Sequence, residues 1–187
     1  SDLHVLRAAF GEAAIVSTGD GLLFDPAHLA CDFHQLRLAL SADDPESVVR
    51  LYAGPLLDGF FLADSAEFGY WLDEHRGELA HGYVRALLAL AARQERAGDV
   101  HGRVGTCRRL VAADPHSAAH ALGLMRALDA AGERTAAIRH AAEYARRVRL
   151  DLELDPDPAV AALADTLRSA PAPAPPPATS VAVLPFR

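Results

Sequence analysis

The side chains with chemistry to offer in this chain are nine histidines, two cysteines and two groups of arginines. A metal centre needs three or four His, Cys, Asp or Glu donors converging at fixed spacing. The histidines do not supply it. His28 and His34 flank the start of an expected helix, and His75 and His81 are six apart, on different faces of a helix. His116 and His120 are four apart and could share a face, yet no HExxH glutamate and no third ligand accompanies them. Cys31 and Cys107 lie in apolar surroundings outside any CxxC pair. They read as small buried hydrophobes in a reducing compartment, with a disulfide or a metal ligand as the lesser reading. No GxSxG elbow, phosphate loop, GxGxxG turn or paired-carboxylate motif is present. Neither enzymatic activity nor a cofactor or metal is expected.

The arginines offer binding rather than catalysis. Arg139, Arg146, Arg147 and Arg149 give one helix a basic face, and Arg103, Arg108 and Arg109 do the same for a helix one repeat earlier. Such a face is solvated and laced with i,i+4 pairs, or it grips phosphate, or it meets a protein partner. Arg103, Arg108, Arg139 and Arg146 are the candidate partner-binding residues. The formal net charge of −7 opposes non-specific adhesion to nucleic acid or to an anionic membrane.

The elements that position these residues are mostly helical. Half the residues are hydrophobic but only 6% are aromatic. That composition is rich in Ala and Leu, and it favours packed helices. No apolar run approaches the ~18 residues of a membrane span, and Ser1-Asp2-Leu3-His4 does not open a signal peptide. A soluble cytoplasmic protein is expected. The start without Met is expected to make this a piece of a longer protein.

Residues 1–30 stand apart. Leu3, Val5, Leu6 and Ala9 form the last turns of a helix stopped at Gly11. The runs Ala13–Ser17 and Leu22–Phe24 flank Thr18-Gly19-Asp20-Gly21, a β-hairpin signal. Asp32 is expected to cap a helix carrying Phe33, Leu36 and Leu40, and Asp43-Asp44-Pro45 opens another. Leu56, Leu57, Phe60, Phe61 and Leu62 in the connector 53–66 are expected to lie on a neighbouring surface. A long helix from Glu67 to Ala97 carries Phe68, Trp71, Leu72, His75, Leu79 and Tyr83 every three or four residues, continuing through Leu87, Leu88 and Leu90. That stripe, Trp71 included, is expected to be core.

The strongest internal signal is a repeat. Ala97-Gly98-Asp99 and Ala131-Gly132-Glu133 lie 34 residues apart. This is the period of the tetratricopeptide unit, a helix pair that buries its apolar face only by stacking on neighbours. Val104, Cys107, Leu110 and Val111 match Ile138, Ala141, Tyr144 and Ala145, and Arg103 stands where the next unit has the small Ala137. A connector at Leu152–Pro158 leads to a last helix at about 159–168. A Pro/Ala-rich linker over 170–180 and a strand over 181–187 close the chain, the strand read as the start of a further domain.

The run Leu51-Tyr52-Ala53-Gly54-Pro55-Leu56-Leu57-Asp58-Gly59-Phe60, followed by Glu67-Phe68-Gly69-Tyr70-Trp71-Leu72-Asp73-Glu74-His75-Arg76, resembles the bacterial transcriptional activator domain of Streptomyces antibiotic regulatory protein type regulators. The resemblance covers about 32–168. Residues 1–30 resemble the C-terminal remnant of an OmpR-type winged helix, with Asp2–Arg7 as the end of its recognition helix and Ile15–Phe24 as its wing. Ser180–Phe186 resembles the opening strand of a TolB-like domain.

The resemblance implies a mainly α, tetratricopeptide-like stack (31–169) behind a winged-helix remnant (1–30). It implies promoter binding through the complete parent protein. The helical part would meet RNA polymerase or a second subunit, including a second copy of itself. Arg7, Ser17, Thr18 and Gly19 are the candidate DNA contacts, although 1–30 hold one basic residue, Arg7, against four acidic ones. The alternative function is a free-standing repeat adaptor that binds a protein without touching DNA. A third is a small-molecule sensor.

Overall fold

The structure, a computed structural model, describes residues 2–19, 21–62 and 65–169. The expected linker over 170–180 and strand over 181–187, with Asp20 of the hairpin turn, lie outside the described residues. The described chain runs as α1 (Asp2–Phe10), a short 3-10 turn (Glu12–Ala14), β1 (Ile15–Thr18), β2 (Gly21–Phe24), α2 (Asp32–Ser41), α3 (Pro45–Leu51), α4 (Ala66–Ala97), α5 (Val100–Ala113), α6 (Ala118–Ala130), α7 (Arg134–Leu152) and α8 (Pro158–Ser169). The fold is therefore mainly α with one N-terminal hairpin, as the sequence predicts. It forms two compact units, residues 1–93 and Gln94 onward.

In the first unit, β1 and β2 pair antiparallel with Ile15 opposite Phe24 and Thr18 opposite Gly21. Ala14 and Ile15 are buried, whereas Val16, Leu22, Leu23 and Phe24 are exposed. The Arg7 guanidinium ties α1 to the hairpin by donating to the Ile15 carbonyl at 3.1 and 3.3 Å and to Ser17 Oγ at 3.0 Å. The cap of α2 differs from expectation. Asp32 is its first helical residue and Cys31 its N-cap, with Asp32 Oδ1 accepting from its neighbour, the Phe33 amide. By contrast Asp44 caps α3 through the Ser47 amide, with Pro45 in the first turn.

Leu36, Ala39, Val48, Val49, Leu72, Leu79, Ala86 and Leu87 make the buried core of this unit. Gly82 lets α2 approach α4 closely, because a Cβ there would lie 2.6 Å from Leu40 Cδ2. The expected α4 stripe holds for Leu72, Leu79 and Leu87 but not throughout. Trp71 is 41% and Leu88 48% exposed, while His75, Tyr83 and Leu90 are half-buried. A stripe of this length winds around a 3.6-residue helix, and short α2 and α3 cannot cover its full width.

In the second unit, Gly98 (φ +70°) and Gly132 (φ +79°) both occupy the left-handed conformation that the repeat requires at its turn. The 34-residue register survives in the packing: Cys107 and Ala141 are buried, and so are Leu110 and Tyr144. Leu124, Met125, Ala127 and Leu128 of α6 fill the core between them, and Val160, Ala164 and Leu167 of α8 close it. The unexpected Arg103 is accommodated by an ion pair to Glu95 at 2.8 Å. Beside it Thr106 Oγ1 donates to Gln94 Oε1 at 2.8 Å.

Candidate functional site

The connector between α3 and α4 is built by one side chain. Arg76, on the third turn of α4, donates from Nε to the Leu56 carbonyl at 2.8 Å and from Nη2 to the Leu57 carbonyl at 2.7 Å. Leu57 has φ +49°, a conformation costly for a side chain of its shape. Two charge-assisted bonds to the flanking carbonyls offset that cost. Tyr52 and Tyr83 stack at 4.4 Å behind the connector, and burial pushes the Tyr52 phenol above its ordinary pKa.

The connector's apolar residues do not all find cover, contrary to expectation. Leu56 is half-buried, while Leu57, Phe60, Phe61 and Leu62 are exposed, Phe61 by 84%. Phe60 meets Phe68 edge-on at 6.0 Å. From there a row of rings runs along α4 and across to α2. Phe68 stacks on Trp71 at 5.6 Å, Trp71 lies 4.4 Å from His75, and His75 lies 6.0 Å from Phe33. The Arg37 guanidinium closes the row, 5.8 Å from the Phe33 centroid. The periodicity that predicts a core position for Trp71 does not by itself distinguish a core stripe from a half-covered ring row.

The four candidate DNA contacts fall together at one side of the hairpin. Arg7 bonds Ser17, Thr18 Oγ1 donates to the Gly21 carbonyl at 3.4 Å, and Gly19 occupies the turn at φ +39°. Ser17, Thr18 and Gly19 are exposed, whereas Arg7 is half-buried with three donor contacts already made within the chain. The four candidate partner-binding arginines divide. Arg103 is half-buried against Glu95. Arg108 reaches Glu133 at 3.5 Å, and Arg139 reaches Glu143 at 3.8 Å across one helical turn. Arg139 and Arg146, both exposed, are seven residues apart on α7 and so share a face.

No group of three or more His, Cys, Asp or Glu among the described residues could hold a metal ion. His116 precedes α6 and so does not share a helix face with His120, which the four-residue spacing leaves open. Its Nε2 instead lies 2.9 Å from Asp151 Oδ2. Both cysteines are free thiols, Cys107 buried and Cys31 only half-buried, where burial of both was expected. No helix among the described residues is long and apolar enough to cross a membrane.

A family model, the bacterial transcriptional activator domain, matches residues 31–168. The chain belongs to this family. Comparison with curated proteins and with solved structures found no match. The bacterial transcriptional activator domain thus takes in the chain from the N-cap of α2 into the last turn of α8, and its role is regulation of transcription. Within it, the Trp-Leu-x-x-x-Arg run has a structural reason. Leu72 faces the core, and Arg76 pins the connector that the preceding Leu-Tyr-x-Gly-x-Leu-Leu segment forms.

Proposed function

We propose that this chain is the regulatory, protein-interaction half of a DNA-binding bacterial transcription regulator. The observation that carries the reading is the family match over 31–168, spanning seven consecutive helices. Residues 1–30 are the C-terminal part of a winged helix. Two features support this: the antiparallel hairpin behind a helix, and the exposed Val5, Phe10, Leu22, Leu23 and Phe24, an apolar surface suited to packing inside a larger domain. Residues 31–169 form the activator domain, 170–180 its linker and 181–187 the start of a following domain.

Promoter DNA is met through the complete winged helix. Ser17, Thr18 and Gly19 lie at the wing, with Arg7 orienting it through Ser17 and Ile15. The activator domain meets RNA polymerase or a second subunit, including a second copy of itself, through the arginines of α5 and α7. Arg108, Arg139 and Arg146 are exposed there. Arg103 acts at the same surface through its pairing with Glu95.

One observation favours a second reading, a repeat adaptor that never touches DNA. Residues 1–30 carry a single arginine, and its guanidinium is engaged within the chain. The test is DNA binding over a salt series on the upstream region of the encoding gene, for this chain and for the parent with its complete N-terminal domain. Specific binding by the parent with a steep salt slope, and none by this chain, supports the regulator. Background binding by both overturns it in favour of the adaptor.

A further inference from the structure

We propose that the cavity between α2 and α4 binds a small planar organic anion, an aromatic carboxylate in its simplest form. The proposal stands independently of the DNA-binding reading. The cavity measures about 510 Å3, within the usual span of small-molecule pockets. Its walls carry three features that converge on one ligand class.

The first is charge. Arg37 from α2 and Arg85 from α4 both line the cavity, and among the described residues neither forms an ion pair with a carboxylate. Glu78, the acid that lines the cavity, pairs with neither of them. In a chain of net charge −7, two guanidinium groups against the single carboxylate of Glu78 leave this cavity with a locally positive balance. The second is preorganisation. Arg37 rests over the Phe33 ring at 5.8 Å. A guanidinium held over a ring still has N–H donors to spare for the two oxygens of a carboxylate.

The third is the aromatic wall. Phe33 and His75 meet at 6.0 Å and an interplanar angle of 48°, both lining the cavity. His75 Nδ1 donates to the Trp71 carbonyl at 2.9 Å, which holds the imidazole in place. Buried Leu79 and half-buried Leu40 complete an apolar floor. A ligand ring lies against Phe33 and His75, and its carboxylate reaches the arginines. An inorganic anion would leave the aromatic wall unused, and a neutral aromatic would leave the guanidinium groups unused.

Trp71 is the one tryptophan of the chain and lies 4.4 Å from His75, so its indole N–H resonance reports on the cavity. The experiment is titration of the whole chain with 2-naphthoate, followed by calorimetry and by that resonance, beside the uncharged 2-naphthamide. Saturable binding that shifts the Trp71 signal is expected, with the amide at least about tenfold weaker. Arg37→Gln and Arg85→Gln should each raise the dissociation constant about tenfold. Both sites are exposed, and an unchanged circular dichroism spectrum and melting temperature will confirm that the variants fold. No saturation below about 10 mM, equal affinity for the amide, or unaltered affinity in both variants overturns the proposal.

Discussion

Trp71 and His75 are locked together twice: their rings lie 4.4 Å apart, and His75 Nδ1 donates to the Trp71 carbonyl at 2.9 Å. One turn of α4 thus presents a braced ring pair on a surface where the sequence pattern predicts core. The neighbouring residue, Leu72, is 3% exposed and points inward. The two positions should therefore respond differently. Leu72→Ala leaves a closed cavity and is expected to cost about 3 kcal/mol or more. Trp71→Ala removes a larger side chain from a place already open to solvent, and roughly 1–2 kcal/mol is expected. Urea unfolding of both variants checks this, and an equal loss would return Trp71 to the core.

The two repeat turns share a glycine but not a cap. Nothing lies within 4 Å of a Cβ built at Gly98 or Gly132, so Ala at either should cost only the left-handed backbone penalty, about 1–2 kcal/mol. Asp99 accepts from the Gly102 amide at 2.9 Å, whereas Glu133 makes no capping bond. Asp99→Ala should cost about 1 kcal/mol. Glu133→Ala should lose only its exposed contact with Arg108, a few tenths of that by the usual worth of such pairs. Thermal melts of the four variants test the asymmetry.

The cysteines should differ in reactivity. Cys107 is buried, and burial pushes its thiol above the ordinary value, which holds back the thiolate. Cys31 is half-buried at the N-cap of α2. An Ellman titration of the native chain should show one thiol reacting promptly and the second only in denaturant. Prompt reaction of both would mean that α6, packed on α5, does not seal Cys107.

Acid should weaken the second unit through His140. This residue is half-buried, its Nε2 has no hydrogen-bond partner among the described residues, and burial lowers its pKa below the ordinary histidine value. The unfolded chain then takes up the proton first as pH falls through about 6.5. Its contribution is present in full above that pH, declines below it, and levels off once the folded state is also protonated. Urea unfolding at about pH 7.5 and about pH 5.5 should show a smaller loss in His140→Leu than in the parent chain. An identical loss would exclude His140 as its source.

Much of this protein was legible in its sequence because the relevant forces are local or periodic. The 34-residue spacing of Gly98 and Gly132, the Pro45 start behind Asp44 and the hairpin around Gly19 follow from backbone conformation, which a few neighbouring residues decide. What stayed hidden depends on partners distant in sequence. Whether Trp71 or Leu72 faces inward depends on how much of α4 the short helices α2 and α3 can cover. That Arg76 holds the carbonyls of Leu56 and Leu57, that Arg7 is engaged by Ile15 and Ser17, and that His116 meets Asp151 rather than His120 are long-range choices. The cavity edged by Arg37 and Arg85 lies between α2 and α4, two helices remote in sequence that approach closely where Gly82 meets Leu40. A periodic pattern specifies which faces are apolar; only the packed chain decides which of them find a neighbour, because burial is a property of the whole surface and not of any window of residues.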